Sequence, residues 1–204
     1  MNNQNLIIYQ FNSLYQILKE LEQDLNLYII KFCLFIYDED MIIFLKNKHT
    51  LQIDNFYFRC SIGKNGITTK KIEGDKKTPI GTFKIDHLYY RKDRVNLPKI
   101  NLKCIQIKSH MGWCDDVNAP RKYNKLINIA DKVHHEKLFR RDYKYDLLIP
   151  IKYNSNKIIP GKGSCIFLHL TKKYTPTAGC IALSKKDFLI MLRIINKTTK
   201  IKIY

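Results

Sequence analysis

The stretch 163–183 restricts the fold of this chain more than any other part of the sequence. An apolar run, Cys165 to Leu168, ends on His169, and eleven positions after that histidine Cys180 follows a glycine and opens a second apolar run. The segment between them contains Thr175-Pro176-Thr177, which suits neither a helix interior nor a central strand. We therefore predict two strands joined by a loop, an arrangement that places His169 beside Cys180.

A cysteine beside a histidine is a candidate nucleophile. The thiolate is the reactive form of cysteine, and a neighbouring imidazole can accept the thiol proton. We expect His169 and the local backbone to lower the pKa of Cys180. The competing interpretation is structural, with a core histidine and a buried cysteine that behaves as a small apolar side chain.

A second motif lies about ninety residues upstream of the cysteine. It runs from Gly74-Asp75 through Thr78-Pro79 to Gly81 and Phe83, and precedes a predicted strand, Phe83 to Leu88. We expect a glycine-bearing turn with Pro79 at a strand entry, where no ladder donor is needed. A phosphate-binding loop is not favoured, because no helix pattern follows to supply an N-terminus.

The two motifs together resemble the L,D-transpeptidase catalytic domain (YkuD) family. The family has histidine, a short loop and Ser/Thr-x-Gly-Cys, which is Thr177-Ala178-Gly179-Cys180 here, and Gly-Asp-x-x-Thr-Pro-x-Gly-x-Phe upstream. The chain departs from the pattern at Leu170, where the family usually has glycine, and at Ala182, where it often has arginine. It is therefore similar to a divergent branch, and any role of that arginine in binding substrate does not carry over.

The resemblance implies a peptidoglycan L,D-transpeptidase with Cys180, His169 and Gly179 as catalytic residues. The histidine would take the thiol proton, the thiolate would form a thioester with a donor stem peptide, and an amine of an acceptor stem would resolve it. Backbone N–H groups around Gly179 and Cys180 would bind the oxyanion. Water as the acceptor is one alternative, which would make the protein an L,D-carboxypeptidase or endopeptidase. A peptidoglycan-binding module with an inactive site is another. No cofactor is implied. The substrate class points to the cell envelope, with a cytoplasmic location as the alternative.

Composition favours one globular domain with a strongly basic surface. The chain has 204 residues, 45% of them hydrophobic, and a formal charge of +18 from 36 basic and 18 acidic residues. Such a charge favours an anionic polymer, whether nucleic acid, a membrane surface or a cell wall. The basic residues are scattered and no nucleic-acid-binding motif is present, so we do not expect a nucleic-acid partner; a compositional bias also explains the charge.

The cysteines do not indicate a disulfide scaffold or a metal site. Six in this length are too few for a disulfide framework. A bond between Cys104 and Cys114 stays open at this point. The spacing of Cys104, His110 and Cys114 matches no common zinc pattern, so we expect no metal.

The first forty residues differ from the rest and are predicted to be an extension, with the catalytic domain at 41–204. Leucines and isoleucines recur at helical spacing over 14–25, and an apolar stretch follows over 25–37. That stretch is too short to span a bilayer, and acidic rather than basic residues precede it, so neither stable membrane insertion nor an export signal is indicated. Either Met41 is the true start, or the extension docks on the domain.

The remaining predictions concern the fold and the substrate cleft. The strand-like runs after Met41 and the resemblance both predict a mainly β sandwich or barrel with a few short helices. One helix should follow Ser184, a capping residue. We predict that residues 109–160 form a largely irregular lid with a short helix over 135–141. Four residues are predicted to bind substrate: Trp113, Asp115, Tyr123 and Thr177.

Overall fold

The computed structural model describes residues 20–22 and 41–204. The chain divides into two units, 1–39 and 40–204, and the second contains every strand described below. The helix predicted over 14–25 lies outside the described residues except for 20–22, which are helical. The apolar stretch 25–37 lies wholly outside them. Within the described residues, no helix is long and apolar enough to cross a membrane.

The fold is mainly β, as predicted. The strands are β1 (Ile42–Asn47), β2 (Thr50–Ile53), β3 (Phe56–Ser61), β4 (Ile67–Thr68), β5 (Thr78–Pro79), β6 (Gly81–Lys84), β7 (Leu88–Tyr90), β8 (Cys104–Gln106), β9 (Met111–Cys114), β10 (Leu126–Asn128), β11 (His135–Lys137), β12 (Leu147–Pro150), β13 (Phe167–Leu170), β14 (Ile181–Leu183) and β15 (Lys200–Ile203). A 3-10 turn covers Ile129–Asp131, and the helix α1 covers Lys185–Ile194.

Ten of the strands form one sheet in the order β6-β15-β1-β2-β3-β14-β13-β12-β7-β8. The consecutive strands β1, β2 and β3 pair antiparallel, as tight connections require. Strand β15 runs parallel to β1 and antiparallel to β6, and it lies between them. Strands β13 and β14 form a parallel pair near the centre of the sheet, and they carry the site.

The main core lies on one face of this central pair. Side chains alternate along a strand, so Leu168 and Leu170 of β13 share a face with Ile181 and Leu183 of β14. Helix α1 contributes its buried residues to the same core, namely Phe188, Met191 and Leu192. Burying each such side chain stabilises the fold by about 1.5–3 kcal/mol. A functional site on these two strands must therefore lie on their opposite face, which the main core does not cover.

Helix α1 confirms the prediction made from its capping residue. The Ser184 side chain accepts a hydrogen bond from the Asp187 N–H at 3.1 Å, and the backbone of Ser184 is extended, as an N-cap requires. Asp187 lies in the first turn and Arg193 in the last, so both charges complement the helix dipole.

The middle section is more regular than predicted. Instead of a loop and a helix over 135–141, the structure has a three-stranded sheet in the order β10-β9-β11. Gly112 of β9 lies directly beneath the His135 ring, since a Cβ there would come within 2.7 Å of the ring. Strands of three or four residues show too little alternation to be recognised in sequence. The prediction of an irregular segment was therefore wrong for these strands.

Candidate active site

His169 and Cys180 lie on the same face of the central parallel pair. Residue 169 is in register with Ala182, and Leu168 with Ile181. Because side chains alternate, Phe167 and His169 share a face with Cys180 and Ala182, opposite the main core. His169 and Cys180 are 7% and 8% exposed, and both line one cleft of about 320 Å³. The structure thus brings the predicted pair to one cleft.

The loop that joins the two strands is fixed beside the end of β3. The Thr177 N–H donates to the Ile62 carbonyl at 2.8 Å, and the Lys64 N–H donates to the Thr177 carbonyl at 2.9 Å. The Thr177 hydroxyl donates to the Cys180 carbonyl at 2.5 Å and accepts from the Gly179 N–H at 3.1 Å. One threonine therefore shapes the turn that presents the cysteine.

Gly179 occupies a conformation that other residues rarely adopt, with φ of 136°. A Cβ at this position would also lie 2.9 Å from the Lys77 carbonyl oxygen. The Gly179 carbonyl accepts from the Thr78 hydroxyl at 2.9 Å. The Thr-Pro motif upstream therefore packs directly against the Gly-Cys motif, which explains why both sequence patterns occur together.

The Cys180 thiol does not hydrogen-bond to the histidine. Its Sγ donates to the Cys165 carbonyl at 3.0 Å and accepts from the Phe167 N–H at 3.4 Å. Burial raises the pKa of Cys180 to about 12, and the Phe167 N–H opposes that shift. The expectation of a lowered pKa is wrong, because desolvation outweighs the neighbouring donors.

The tautomer of His169 suits a base. Its Nδ1 lies 3.0 Å from the Leu170 carbonyl, an acceptor, so Nδ1 carries the hydrogen and Nε2 holds the free lone pair. Burial lowers the pKa of His169 to about 4, with the positive charges of Lys144 and Arg140 adding to the effect. The imidazole is therefore neutral near pH 7. The resting pair is a neutral thiol and a neutral imidazole.

Two amide donors near the sulfur are available to a ligand. Within the part of the chain that the structure describes, neither the Ala178 N–H nor the Cys180 N–H has a hydrogen-bond acceptor. The Gly179 N–H, by contrast, is occupied by the Thr177 hydroxyl. Ala178 and Cys180 both line the cleft.

A charged wall surrounds the cysteine and histidine. The other cleft residues include three acids and two bases: Glu73, Asp115, Glu136, Arg140 and Lys144. Arg140 binds Glu136 at 2.8 Å and Asp142 at 2.7 Å, and its guanidinium stacks on the Tyr145 ring. The Tyr145 ring in turn packs edge-on against His169 at 5.5 Å between centroids. Of these cleft residues, Asp115 was predicted from the sequence; the others gave no sequence signal, because they reach the cleft from separate segments of the chain.

The four residues predicted to bind substrate have different positions. Asp115 and Thr177 line the cleft, and Asp115 pairs with His134 at 2.5 Å. Trp113 and Tyr123 are buried outside the lining of this cleft. Trp113 packs edge-on against Phe167 and lines a separate cavity of about 330 Å³.

Tyr123 does not line the cleft but contacts one of the acidic residues that do. Its hydroxyl donates to Glu73, and the Ser164 hydroxyl donates to the same carboxylate at 2.6 Å. These two donors fix an acidic side chain of the wall. Both Trp113 and Tyr123 therefore support residues of the site without facing it.

A buried ion pair underlies the turn that carries Gly179. Lys71 is 4% exposed and binds Asp75 at 2.5 Å, while its side chain packs against Gly163. The positive charge of Lys71 slightly favours the thiolate of Cys180, although burial of the thiol dominates. Asp75 of the Gly-Asp motif thus has a structural position rather than a place in the cleft.

No metal site or disulfide is found in this part of the molecule. Over residues 20–22 and 41–204, no group of three or more His, Cys, Asp or Glu side chains is placed to hold a metal ion. The five described cysteines are free, including Cys104 and Cys114.

Comparison with known proteins gives a family match and several matches to solved structures. The model of the L,D-transpeptidase catalytic domain family, YkuD, matches residues 38–203. No curated protein sequence matches the chain.

Three solved structures illustrate the structural similarity. The K307A mutant of the helical cell shape determining protein Pgp2 from Campylobacter jejuni has 16% identity and a TM-score of 0.46, covering 81% of this chain and 47% of that one. Bd1075 from Bdellovibrio bacteriovorus has 16% identity and a TM-score of 0.41, with 81% and 48% covered. An L,D-transpeptidase from Mycobacterium smegmatis has 13% identity and a TM-score of 0.35, with 81% and 58% covered. The chain thus spans about half the length of these proteins.

Proposed function

Because the chain belongs to the L,D-transpeptidase catalytic domain (YkuD) family, we propose that it is a peptidoglycan L,D-transpeptidase with Cys180 as nucleophile and His169 as base. One observation carries this proposal: the cysteine and the histidine lie on the same face of two paired strands and line a single cleft. The cleft also presents charged groups suited to a peptide with free amines and carboxylates.

The first step is acylation of the cysteine by general-base catalysis. A substrate carbonyl approaches Cys180, the thiol turns from the Cys165 carbonyl, and Nε2 of His169 takes its proton as the sulfur attacks. A neutral imidazole with its hydrogen fixed on Nδ1 is already in the form that this step needs. The carbon–nitrogen bond to the D-residue then breaks, and the imidazolium returns the proton to the leaving amine. A thioester remains on Cys180.

The oxyanion formed during this step needs donors near the sulfur. The N–H groups of Ala178 and Cys180 are the candidates, since the Gly179 N–H is already bound to Thr177. This assignment differs in one donor from the sequence-based expectation. Removing one oxyanion donor in other enzymes costs about 2.7–4 kcal/mol of transition-state stabilisation.

The second step transfers the acyl group to an amine of another stem peptide. His169 takes the proton from that amine as it attacks the thioester, and the released thiolate recovers a proton from the imidazolium. Water is the competing acceptor and would make the protein an L,D-carboxypeptidase or endopeptidase. Both reactions use the same residues, so transpeptidation and hydrolysis are distinguished by analysing their products.

The substrate class places the working protein in the cell envelope, with peptidoglycan stem peptides as donor and acceptor. The charge of +18 supports binding to an anionic wall polymer. We also propose that residues 109–160 act as the substrate-facing lid, because Asp115, Glu136, Arg140, Lys144 and Tyr145 all reach the cleft from this segment.

The test combines intact-protein mass with product chromatography. Incubation with muropeptides that carry tetrapeptide stems should add one acyl group at Cys180 when no acceptor is present. With acceptor, cross-linked dimers should dominate. Cys180→Ala should form neither adduct nor product. Shortened monomers at every acceptor concentration would establish the hydrolase instead, and no adduct or product would reject both.

A further inference from the structure

The charged residues of the cleft differ in whether they have ion-pair or hydrogen-bond partners. Each of the three acids has a partner: Tyr123 and Ser164 donate to Glu73, His134 binds Asp115, and Arg140 binds Glu136. Of the two bases, Arg140 is committed to two carboxylates. Lys144 is exposed and forms no salt bridge among the residues that the structure describes, although its charge adds to that of Arg140 in lowering the pKa of Asp142. It is the one cleft cation left for a ligand within that part of the chain.

The backbone of Lys144 is held beside the histidine. Its carbonyl accepts from the Leu170 N–H at 2.9 Å, and its N–H donates to Asp142 at 3.1 Å. The next residue, Tyr145, packs its ring against His169. The ammonium group can therefore move on its flexible stem while the base of the side chain stays at a fixed place.

The residue beside His169 on β14 is uncharged. Ala182 is the residue in register with His169 on β14, and its side chain is a methyl group. Lys144 instead precedes β12, the strand that pairs with β13 on its other side. A cation for an anionic substrate group therefore lies across β13 from Ala182.

The geometry of the reaction indicates which substrate group would contact Lys144. The leaving amine must reach His169 Nε2 to take the proton, and the amine belongs to the D-residue. The carboxylate of a terminal D-residue is separated from that amine by a single carbon, so it must also lie close to the histidine. On the proposed function, we infer that Lys144 binds the free terminal carboxylate of the donor stem peptide and so selects stems that end at the leaving D-residue.

Two observations support this assignment. The positive charge of Lys144 acts on His169, where it adds to the larger effect of burial in lowering the histidine pKa. An incoming carboxylate would neutralise that charge and make the imidazole a stronger base as substrate binds. Lysine is also a flexible cation with three donors, which suits a carboxylate that moves away with the product.

The experiment measures binding without turnover. The Cys180→Ala protein is titrated calorimetrically with a synthetic stem tetrapeptide that ends in a free carboxylate on its D-residue, and with the same peptide as the carboxamide. The parent should bind the acid about tenfold or more tightly than the amide, since a hydrogen bond to a charged group is worth about 1.5–3 kcal/mol. Adding Lys144→Gln should remove that preference, and Lys144→Arg should retain most of it.

Lys172→Gln is the matched control. Lys172 is a nearby exposed lysine that rests over the Tyr143 ring and does not line the cleft, so its loss should leave the preference unchanged. An acid preference that survives Lys144→Gln, or no preference in the parent, would overturn the inference. Thioester formation by the unmodified protein is measured separately. A Lys144-dependent preference without a thioester would uphold carboxylate recognition and reject the catalytic proposal. A thioester without a Lys144-dependent preference would uphold the catalytic proposal and reject carboxylate recognition by Lys144.

Discussion

The Cys180 sulfur donates its hydrogen to the Cys165 carbonyl at 3.0 Å and not to His169. Cys165 itself has a positive φ of 52°, an uncommon conformation for a residue with a side chain. This bend turns its carbonyl toward the sulfur. Burial raises the pKa of this thiol, so Cys180 is protonated and donates to a backbone carbonyl. On the proposed mechanism, substrate displaces that hydrogen bond before His169 takes the proton.

A resting thiol of this kind should be slow to alkylate. Burial raises the pKa of Cys180 to about 12, so very little thiolate exists at pH 7. Iodoacetamide should label the exposed Cys104 faster than Cys180, and labelling of Cys180 should accelerate roughly tenfold per pH unit up to that pKa. Peptide mapping over time measures both. Fastest labelling of Cys180 at pH 7 would instead indicate a thiolate–imidazolium pair.

Activity should fall on the acid side only at an unusually low pH. Burial lowers the pKa of His169 to about 4, so the base becomes protonated and inactive only below that pH. Single-turnover thioester formation should therefore change little from pH 7 to pH 5 and fall near pH 4. Intact mass at fixed times follows the rate. A tenfold fall per unit starting at about 6.5, the ordinary value for histidine, would show that substrate binding restores the usual pKa.

Replacing Thr177 by valine should damage both stability and acylation. Valine removes the hydroxyl that bonds the Cys180 carbonyl and the Gly179 N–H, and leaves both groups without that partner. The expected loss is about 1–3 kcal/mol of unfolding free energy, measured by urea denaturation, together with slower thioester formation. Thr177→Ser keeps the hydroxyl and should lie close to the parent. Equal effects of serine and valine would assign the role to the methyl group.

Alanine at Gly179 should be more harmful than alanine at another glycine with positive φ. Gly179→Ala strains the backbone and also brings a Cβ to 2.9 Å from the Lys77 carbonyl. Gly161→Ala, with φ of 80° and open space around the added carbon, should cost only the backbone term of about 1–2 kcal/mol. Thermal melts and thioester formation compare the two. Similar melting temperatures and full activity in both would show that the turn adapts freely.

The sequence predicted the parts of the site that are contiguous along the chain. Two short apolar runs and a loop predicted neighbouring strands that bring His169 close to Cys180, and both residues line one cleft. Helix α1 was found because its cap and its period are local signals. Family resemblance and alternation together gave the mainly β class.

The rest depends on contacts between distant segments. The pKa of Cys180 is set by burial, which no spacing reveals. Trp113 was predicted to bind substrate because it lies in the segment predicted to be a lid, yet it packs against Phe167 from a strand only four residues long. Lys144 was not singled out, since one lysine in a basic chain has no pattern of its own. Lys144 stands out only because the other charged residues of the cleft already have ion-pair or hydrogen-bond partners.

The position of β15 has a consequence for synthesis of the protein. This strand fills the space between β6 and β1, although more than a hundred residues separate it from β6 along the chain. A nascent chain must therefore leave both of those strands with an open edge until the ribosome has delivered β15. Open edges invite pairing with other chains. The emergence of β15 is thus the event that joins β6 to the rest of the sheet, and a ribosome that stalls before it would leave β6 and one edge of β1 unpaired.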